Sequence, residues 1–281
     1  MPIDLVTKFL PYVDEKFSTA SVKGLVTNND FDWNGAHSVK IYKVTTAGMN
    51  DYDRAGTGKS WSRYGTVQGL DATTEELTLK KDRSFTFAID KLDEDETINV
   101  LNGAAALNRQ LADVVIPEVD AYTYGVMAVG AGTHVELDST AKLYPAVLTA
   151  NQVLDEAEVP AAGRVLICTP SAYYQLKQEA ADAMQAIDAS AAIRQNGVLS
   201  MLDGLSIVKV PSSRLPKNFI FMIASSAATI APTKLQDYKV YEDVPGLSGS
   251  LVEGRIVYDA FVLENKKEAI YYASKKVEMQ A

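Results

Sequence analysis

The sequence predicts an α+β fold, and three observations carry that reading. Residues 77–90, from Leu77 through Phe85 and Phe87 to Asp90, alternate apolar and polar positions, the period of a strand. Leu101, Ala104, Leu111, Val115, Val119, Tyr122 and Val126 then recur at helical spacing, one face of a long helix. From 142 onward, helical patterns alternate with short apolar runs, as in an α/β unit.

Taken in order, residues 1–35 read as an arm. Val6, Phe9, Leu10, Val13 and Phe17 follow helical spacing, with Pro11 interrupting, and a stripe that narrow has no core of its own to join. Residues 36–90 read as an extended β-hairpin. His37 to Val44 alternates, and its returning strand is expected to end at Asp90. Between the two lies a stretch rich in Gly, Thr and Asp that also carries Tyr52, Trp61 and Tyr64. A loop of that length is functional or disordered, and disordered tracts are poor in aromatics. Burial of Trp61 and Tyr64 by a partner is therefore the expectation.

Residues 91–141 should hold the long helix. Asp93-Glu94-Asp95-Glu96 suits a helix N-terminus, where negative charge meets the positive end of the dipole. Pro117 inside the pattern predicts a kink or break near Val115–Ile116, and Gly130 and Gly132 end the helix. Residues 142–246 form the α/β unit: a helix over 143–159, a buried strand over 164–168, and a helix capped by Thr169 and opened by Pro170. Strands follow over 205–210 and 219–224, joined by a turn bounded by Pro211 and Pro216. In the tail, 247–281, two strands are expected to turn at Asn265-Lys266-Lys267.

Composition removes several function classes. The chain has 281 residues, 47% of them hydrophobic, enough for a sizeable core. Its net charge of −9 and scattered Lys and Arg argue against broad nucleic-acid affinity. Cys168 is the single cysteine, so no intrachain disulfide exists, and its apolar run predicts a buried thiol. The N-terminus lacks a signal-peptide pattern, and no apolar run approaches the ~18 residues of a membrane span. A product made in a reducing cytoplasm, away from membranes, is expected.

The motifs that could carry chemistry are weak. Gly56-Thr57-Gly58-Lys59-Ser60 resembles the end of a phosphate-binding loop, which would make Lys59 and Ser60 the ligands of a nucleotide-binding enzyme. The first glycine of that motif is replaced by Asp53, whose charge repels phosphate, and Trp61-Ser62-Arg63 is no helix start. His134-Val135-Glu136 lacks the cysteines of a zinc deaminase, and a turn histidine is the better reading. Gly246-Leu247-Ser248-Gly249-Ser250 is one position out of register for a nucleophile elbow. The acidic run 93–96 lacks the spacing of a calcium loop. No enzyme activity, metal or cofactor is expected.

The order of these parts resembles that of the major capsid protein of tailed bacteriophages, the Hong Kong ninety-seven-like capsid fold. The likeness rests on the strand Lys80–Phe87 running into an acidic helix start, on Ala112–Asp120 in the long helix, on Val210–Pro216, and on the closing run Gly254–Leu263. The resemblance implies an N-terminal arm, an extended β-hairpin loop, a peripheral domain with a long spine helix, and an α/β axial domain. It implies a virion shell of pentamers and hexamers enclosing double-stranded DNA without sequence-specific binding, assembled in the host cytoplasm with scaffolding and portal proteins as partners. Under it, inter-subunit contacts are expected at Phe9, Tyr12 and Phe17 in the arm, and at Tyr42, Tyr52, Trp61, Arg63 and Tyr64 in the loop. An encapsulin-type compartment enclosing an enzyme shares this fold and is the alternative. Some relatives form Lys–Asn cross-links; Lys59 and Asn265 lack a matching motif, and that chemistry is not carried over.

Overall fold

The alternating run 77–90 does form strand, but it is divided between two sheets. The computed structural model describes residues 21–28, 38–56, 61–92, 103–138, 140–184, 201–242 and 244–276. Strand β1 (Ser38–Val44) pairs antiparallel with β2 (Ala72–Thr78), and Val44 faces Ala72. Strand β3 (Lys81–Asp90) belongs elsewhere: it pairs antiparallel with β11 (Gly249–Tyr258) along its full length. The returning strand of the hairpin is thus β2, which lies mostly before the run expected to supply it. Alternation specifies a strand and its faces but not its partner. The two units of the chain divide at this break: Trp33–Leu79 forms one, and 1–32 with 80–281 the other.

In the larger unit Lys91 and Leu92 are helical, and the next described helix is α1 (Gly103–Gln110). Asp93–Glu96 and Leu101 lie outside the described residues. Pro117 does not end the helix, but the helix is disturbed at the expected place, near Val115–Ile116. A π-helical turn (Leu111–Val115) comes directly before α2 (Ile116–Val129), so Pro117 falls in the first turn of a fresh helical segment. Proline has no N–H to donate and crowds the carbonyl one turn back; a widened turn relieves both, and π turns in helices have this local character. Helix α2 ends at Gly130.

Next come β4 (Thr133–Leu137), α3 (Leu143–Glu156), β5 (Arg164–Cys168) and α4 (Pro170–Met184). Thr169 caps α4 as expected, its Oγ1 accepting the Ala172 N–H at 3.2 Å. Strands β6 (Met201–Leu202), β7 (Leu205–Lys209) and β8 (Phe219–Ser225) follow, then β9 (Thr229–Ile230) and β10 (Thr233–Glu242). After β11 come β12 (Phe261–Val262) and β13 (Ile270–Lys275). The expected turn at Asn265–Lys267 is a 3-10 helix (Glu264–Ala269), and it does not make a hairpin. β11 and β13 sit in different sheets.

A six-stranded mixed sheet, in the order β4-β13-β8-β5-β7-β6, forms the centre of this unit. Every residue of β5 is buried, because the sheet is covered on both faces. Leu166, Phe221, Ile223 and Tyr271 point to the side of Leu154 and Leu176 on α3 and α4. Val165, Ile167, Met222 and Tyr272 point to the other side, toward Tyr124 and Met127 of α2 and Val26 near the N-terminus. Arg164 is buried at the start of β5. It donates to Asn151 Oδ1 at 2.6 Å and pairs with Asp155 at 2.7 Å, and so satisfies polar groups at the end of α3.

The second sheet is three-stranded, in the order β10-β11-β3. Its inner face packs Ile256 and Tyr258 against Val119 of α2. Gly254 sits where Phe85 and Tyr238 stack across it at 6.1 Å; a Cβ there would lie 2.3 Å from the Phe85 ring. The missing side chain is what admits the two rings.

The proline-bounded turn holds a 3-10 helix (Ser212–Arg214) whose Arg214 is buried. Its Nη1 donates to Asp120 Oδ2 on α2 at 3.0 Å, while Ser21 Oγ donates to Asp120 Oδ1 at 2.6 Å. Asn28 N–H then donates to the Thr229 carbonyl at 2.7 Å. Residues 21–28 are therefore fastened to this unit at both ends, with Val26 in its core.

Candidate functional site

The unit Trp33–Leu79 is built as a two-stranded ribbon whose ladder continues past β1 and β2. Beyond Val44 and Ala72, Thr45 and Asp71 bond reciprocally: Thr45 N–H and Oγ1 donate to the Asp71 carbonyl at 3.0 and 3.1 Å, and Asp71 N–H donates to Thr45 Oγ1 at 3.0 Å. Asn50 Nδ2 donates to the Thr66 carbonyl at 3.3 Å, and Asp53 N–H to the Arg63 carbonyl at 2.9 Å. The glycine-rich stretch is thus a narrow ribbon with cross-links along its length. Gly65 has a φ of +89° and lies against Asn50, a close approach that any side chain would obstruct.

This construction has little interior. Tyr42, Trp61 and Tyr64 are 74%, 88% and 77% exposed, Tyr52 is 53% exposed, and Arg63 is exposed. Tyr52 and Tyr64 meet edge to face, ring centroids 5.1 Å apart. Their mutual contact leaves most of both rings in water. Sequence reasoning passed over four further exposed apolar residues of the same ribbon: Val44, Met49, Val67 and Leu70. The signal for them is present, as isolated apolar residues within a Gly- and Thr-rich stretch, though none is aromatic. The expected arm contacts Phe9, Tyr12 and Phe17 lie outside the described residues.

On the paired strands Lys43 pairs with Glu75 at 3.0 Å, and Lys40 with Glu76 at 3.8 Å. Beyond them the described residues expose apolar and aromatic side chains beside scattered charges such as Asp51, Arg54, Arg63 and Asp71, a mixed surface suited to non-covalent association.

The other candidates for chemistry resolve into structure. Thr57, Gly58, Lys59 and Ser60 lie outside the described residues, and Asp53 Oδ1 accepts the Gly56 N–H at 2.8 Å, as a turn does. His134 is in strand β4, a correction of the expected turn: its Nε2 bonds Ser274 Oγ at 2.9 Å and its ring stacks on Tyr272 at 4.7 Å. Two alternating residues flanked by glycine and threonine are too short a pattern to mark a strand, and the parallel pairing with β13 decides it. Cys168 is buried, and burial pushes its thiol up to about 12, against a smaller opposing pull from Lys209. It is not a nucleophile at neutral pH. Among the described residues, no group of three His, Cys, Asp or Glu is placed to hold a metal. No described helix is long and apolar enough to cross a membrane.

No protein-family model and no curated protein matches the sequence. Solved structures do, over nearly the whole chain. A chain from the capsid of cyanophage P-SCSP1u superposes with a TM-score of 0.75 at 16% identity, covering 97% of this chain and 93% of its own. A chain of Mycobacterium phage Che8 gives 0.71 at 17% identity, covering 97% and 98%. This chain has the tailed-bacteriophage capsid fold. A chain from the virus-like particle of Pyrococcus furiosus also matches, with a TM-score of 0.54 at 13% identity and 92% coverage of both.

Proposed function

We propose that this chain is a structural subunit of a phage shell, self-assembling as pentamers and hexamers into an icosahedral capsid around double-stranded DNA. The observation that carries the reading is full-length likeness: chains from the cyanophage P-SCSP1u capsid and from phage Che8 both match along 97% of the sequence. The ribbon supports it. A subunit that leaves Tyr42, Tyr52, Trp61 and Tyr64 in water has surface for a neighbour to cover, and many modest contacts of that kind add up in a closed shell. In this reading the ribbon, 33–79 and not the expected 36–90, is the extended loop and the arm precedes it; α1, α2 and the three-stranded sheet belong to the peripheral domain, and the six-stranded sheet with α3 and α4 to the axial domain. The net charge of −9 suits a container that must not grip the DNA entering it. Scaffolding and portal proteins are the further partners, the virion is the location, and assembly takes place in the host cytoplasm.

The likeness to the Pyrococcus furiosus particle favours a second reading, a compartment shell around protein cargo. Electron microscopy of the expressed chain, alone and with a scaffolding protein, separates the possibilities. Closed shells or tubes are expected. Particles holding nucleic acid support the phage reading, and particles holding a bound enzyme support the compartment. Discrete small particles under every condition would end both.

A further inference from the structure

The strand pattern of residues 77–90 runs unbroken in period. Leu77, Leu79, Lys81, Phe85, Phe87 and Ile89 share one parity, so nothing in the local sequence says where the strand should stop. The chain nevertheless leaves one ladder after Thr78 and enters another at Lys81. The interruption coincides with a buried carboxylate contributed from far along the sequence. Asp259 is 3% exposed. Its Oδ2 accepts the Lys80 N–H at 2.8 Å; its Oδ1 accepts the Tyr122 hydroxyl at 2.7 Å and the Ala260 N–H at 2.8 Å. Its own N–H donates to the Pro232 carbonyl at 3.2 Å. One side chain thereby ties the entry to β3, the middle of α2 and the exit from β11.

We infer that Asp259 is the positioning residue that divides residues 72–90 into two strands and fixes the point at which the ribbon ends. By taking the Lys80 N–H, the carboxylate removes the donor that would carry the β1–β2 ladder onward, and it holds that amide against two rigid elements. Lys81 adds to the same junction, its Nζ lying 4.9 Å above the Tyr122 ring. The asymmetry of strength fits this role. A carboxylate accepting three donors makes charge-assisted bonds, each stronger than a neutral ladder rung.

The test is amide hydrogen exchange on the isolated subunit, which requires no assembly. Asp259→Asn keeps the shape but replaces an acceptor oxygen with a donor, so it cannot accept all three bonds. Exchange at Lys80 and Lys81 should rise at least about tenfold, with β7 and β8 unchanged, because an unpinned amide opens locally without global unfolding. Tyr122→Phe removes one bond only and should raise exchange at the same amides by a smaller factor. It also serves as the readout where Asp259→Asn does not fold. Unchanged exchange at Lys80 in whichever variant folds overturns the inference. Loss of shell formation with unchanged exchange would count against it as well, and would leave the shell reading intact.

Discussion

The ribbon of residues 33–79 and the six-stranded sheet obey one local rule and reach opposite outcomes. Both are made of strands paired in ladders, regular in the ribbon and shifted once in the sheet, between Ala273 and Ser274 of β13. In the sheet, both faces are covered, and Phe221, Met222, Ile223 and Ala224 are all buried in succession. In the ribbon, one strand faces one strand, and Tyr42, Trp61 and Tyr64 stand in water. The difference is how much chain lies above and below, which is a property of layers and not of strands. A two-stranded ribbon is marginal by itself. This one compensates with side-chain rungs such as Thr45–Asp71, and so spends its aromatics on the outside.

Four measurements press on this contrast, beginning with the largest effect. Phe221→Ala empties a site stacked on Tyr271 in the middle of the sheet. It should cost about 3–5 kcal/mol of subunit stability in urea unfolding; a loss comparable to that of a surface substitution would refute the two-sided core. Asp120→Ala removes the carboxylate that pairs with buried Arg214 and detaches Ser21. A loss of about 3 kcal/mol is expected by the same measurement, since breaking a buried ion pair by removing one partner is strongly unfavourable.

Cys168 tests burial without mutation. Its thiol is raised to about 12 in the folded chain, from an ordinary value of about 8.5. At pH 8, alkylation of native subunit should trail that of urea-unfolded chain by at least about a hundredfold, because the thiolate is the reactive form. The sign for stability follows: the unfolded thiol ionises first as pH rises, so its contribution is present below about 8.5 and is lost as pH climbs through about 12. Equal alkylation rates at pH 8 would mean that β5 is open.

The smallest effect on stability belongs to Trp61→Ala, which should leave the unfolding free energy of the subunit within about 0.5 kcal/mol, as exposed positions do. The same variant should lower the yield of closed particles by electron microscopy. Unfolding of the isolated subunit by Trp61→Ala would place that ring in a core and dissolve the contrast between the two regions.

Much of the molecule was legible residue by residue. Strand β5 begins at Arg164 and ends at Cys168, and α4 begins at Pro170 behind the Thr169 cap, because burial, proline and a capping hydroxyl act within a few residues of one another. The disturbance near Pro117 was legible for the same reason, although its form as a π turn was not. The long strand β10 went unread: its mixed polar sequence is a strand only because β11 lies beside it. Of the candidate surface, the aromatics were visible as large apolar residues where no core pattern runs, while Val44, Met49, Val67 and Leu70 were not.

By itself, then, the sequence determined many of the strands and helices, which residues have no core to enter, and that Cys168 is buried. Tertiary structure decided which strands pair. The hairpin closes on β2 instead of β3, the tail splits between two sheets, and His134 lies in a strand. The contacts behind such choices are long-range: Lys80 bonds Asp259 across 179 positions, and Arg214 reaches Asp120 across 94. Periodicity and capping are short-range and can be read along the chain. A carboxylate that ends a strand from so far away leaves no mark in the residues it acts on.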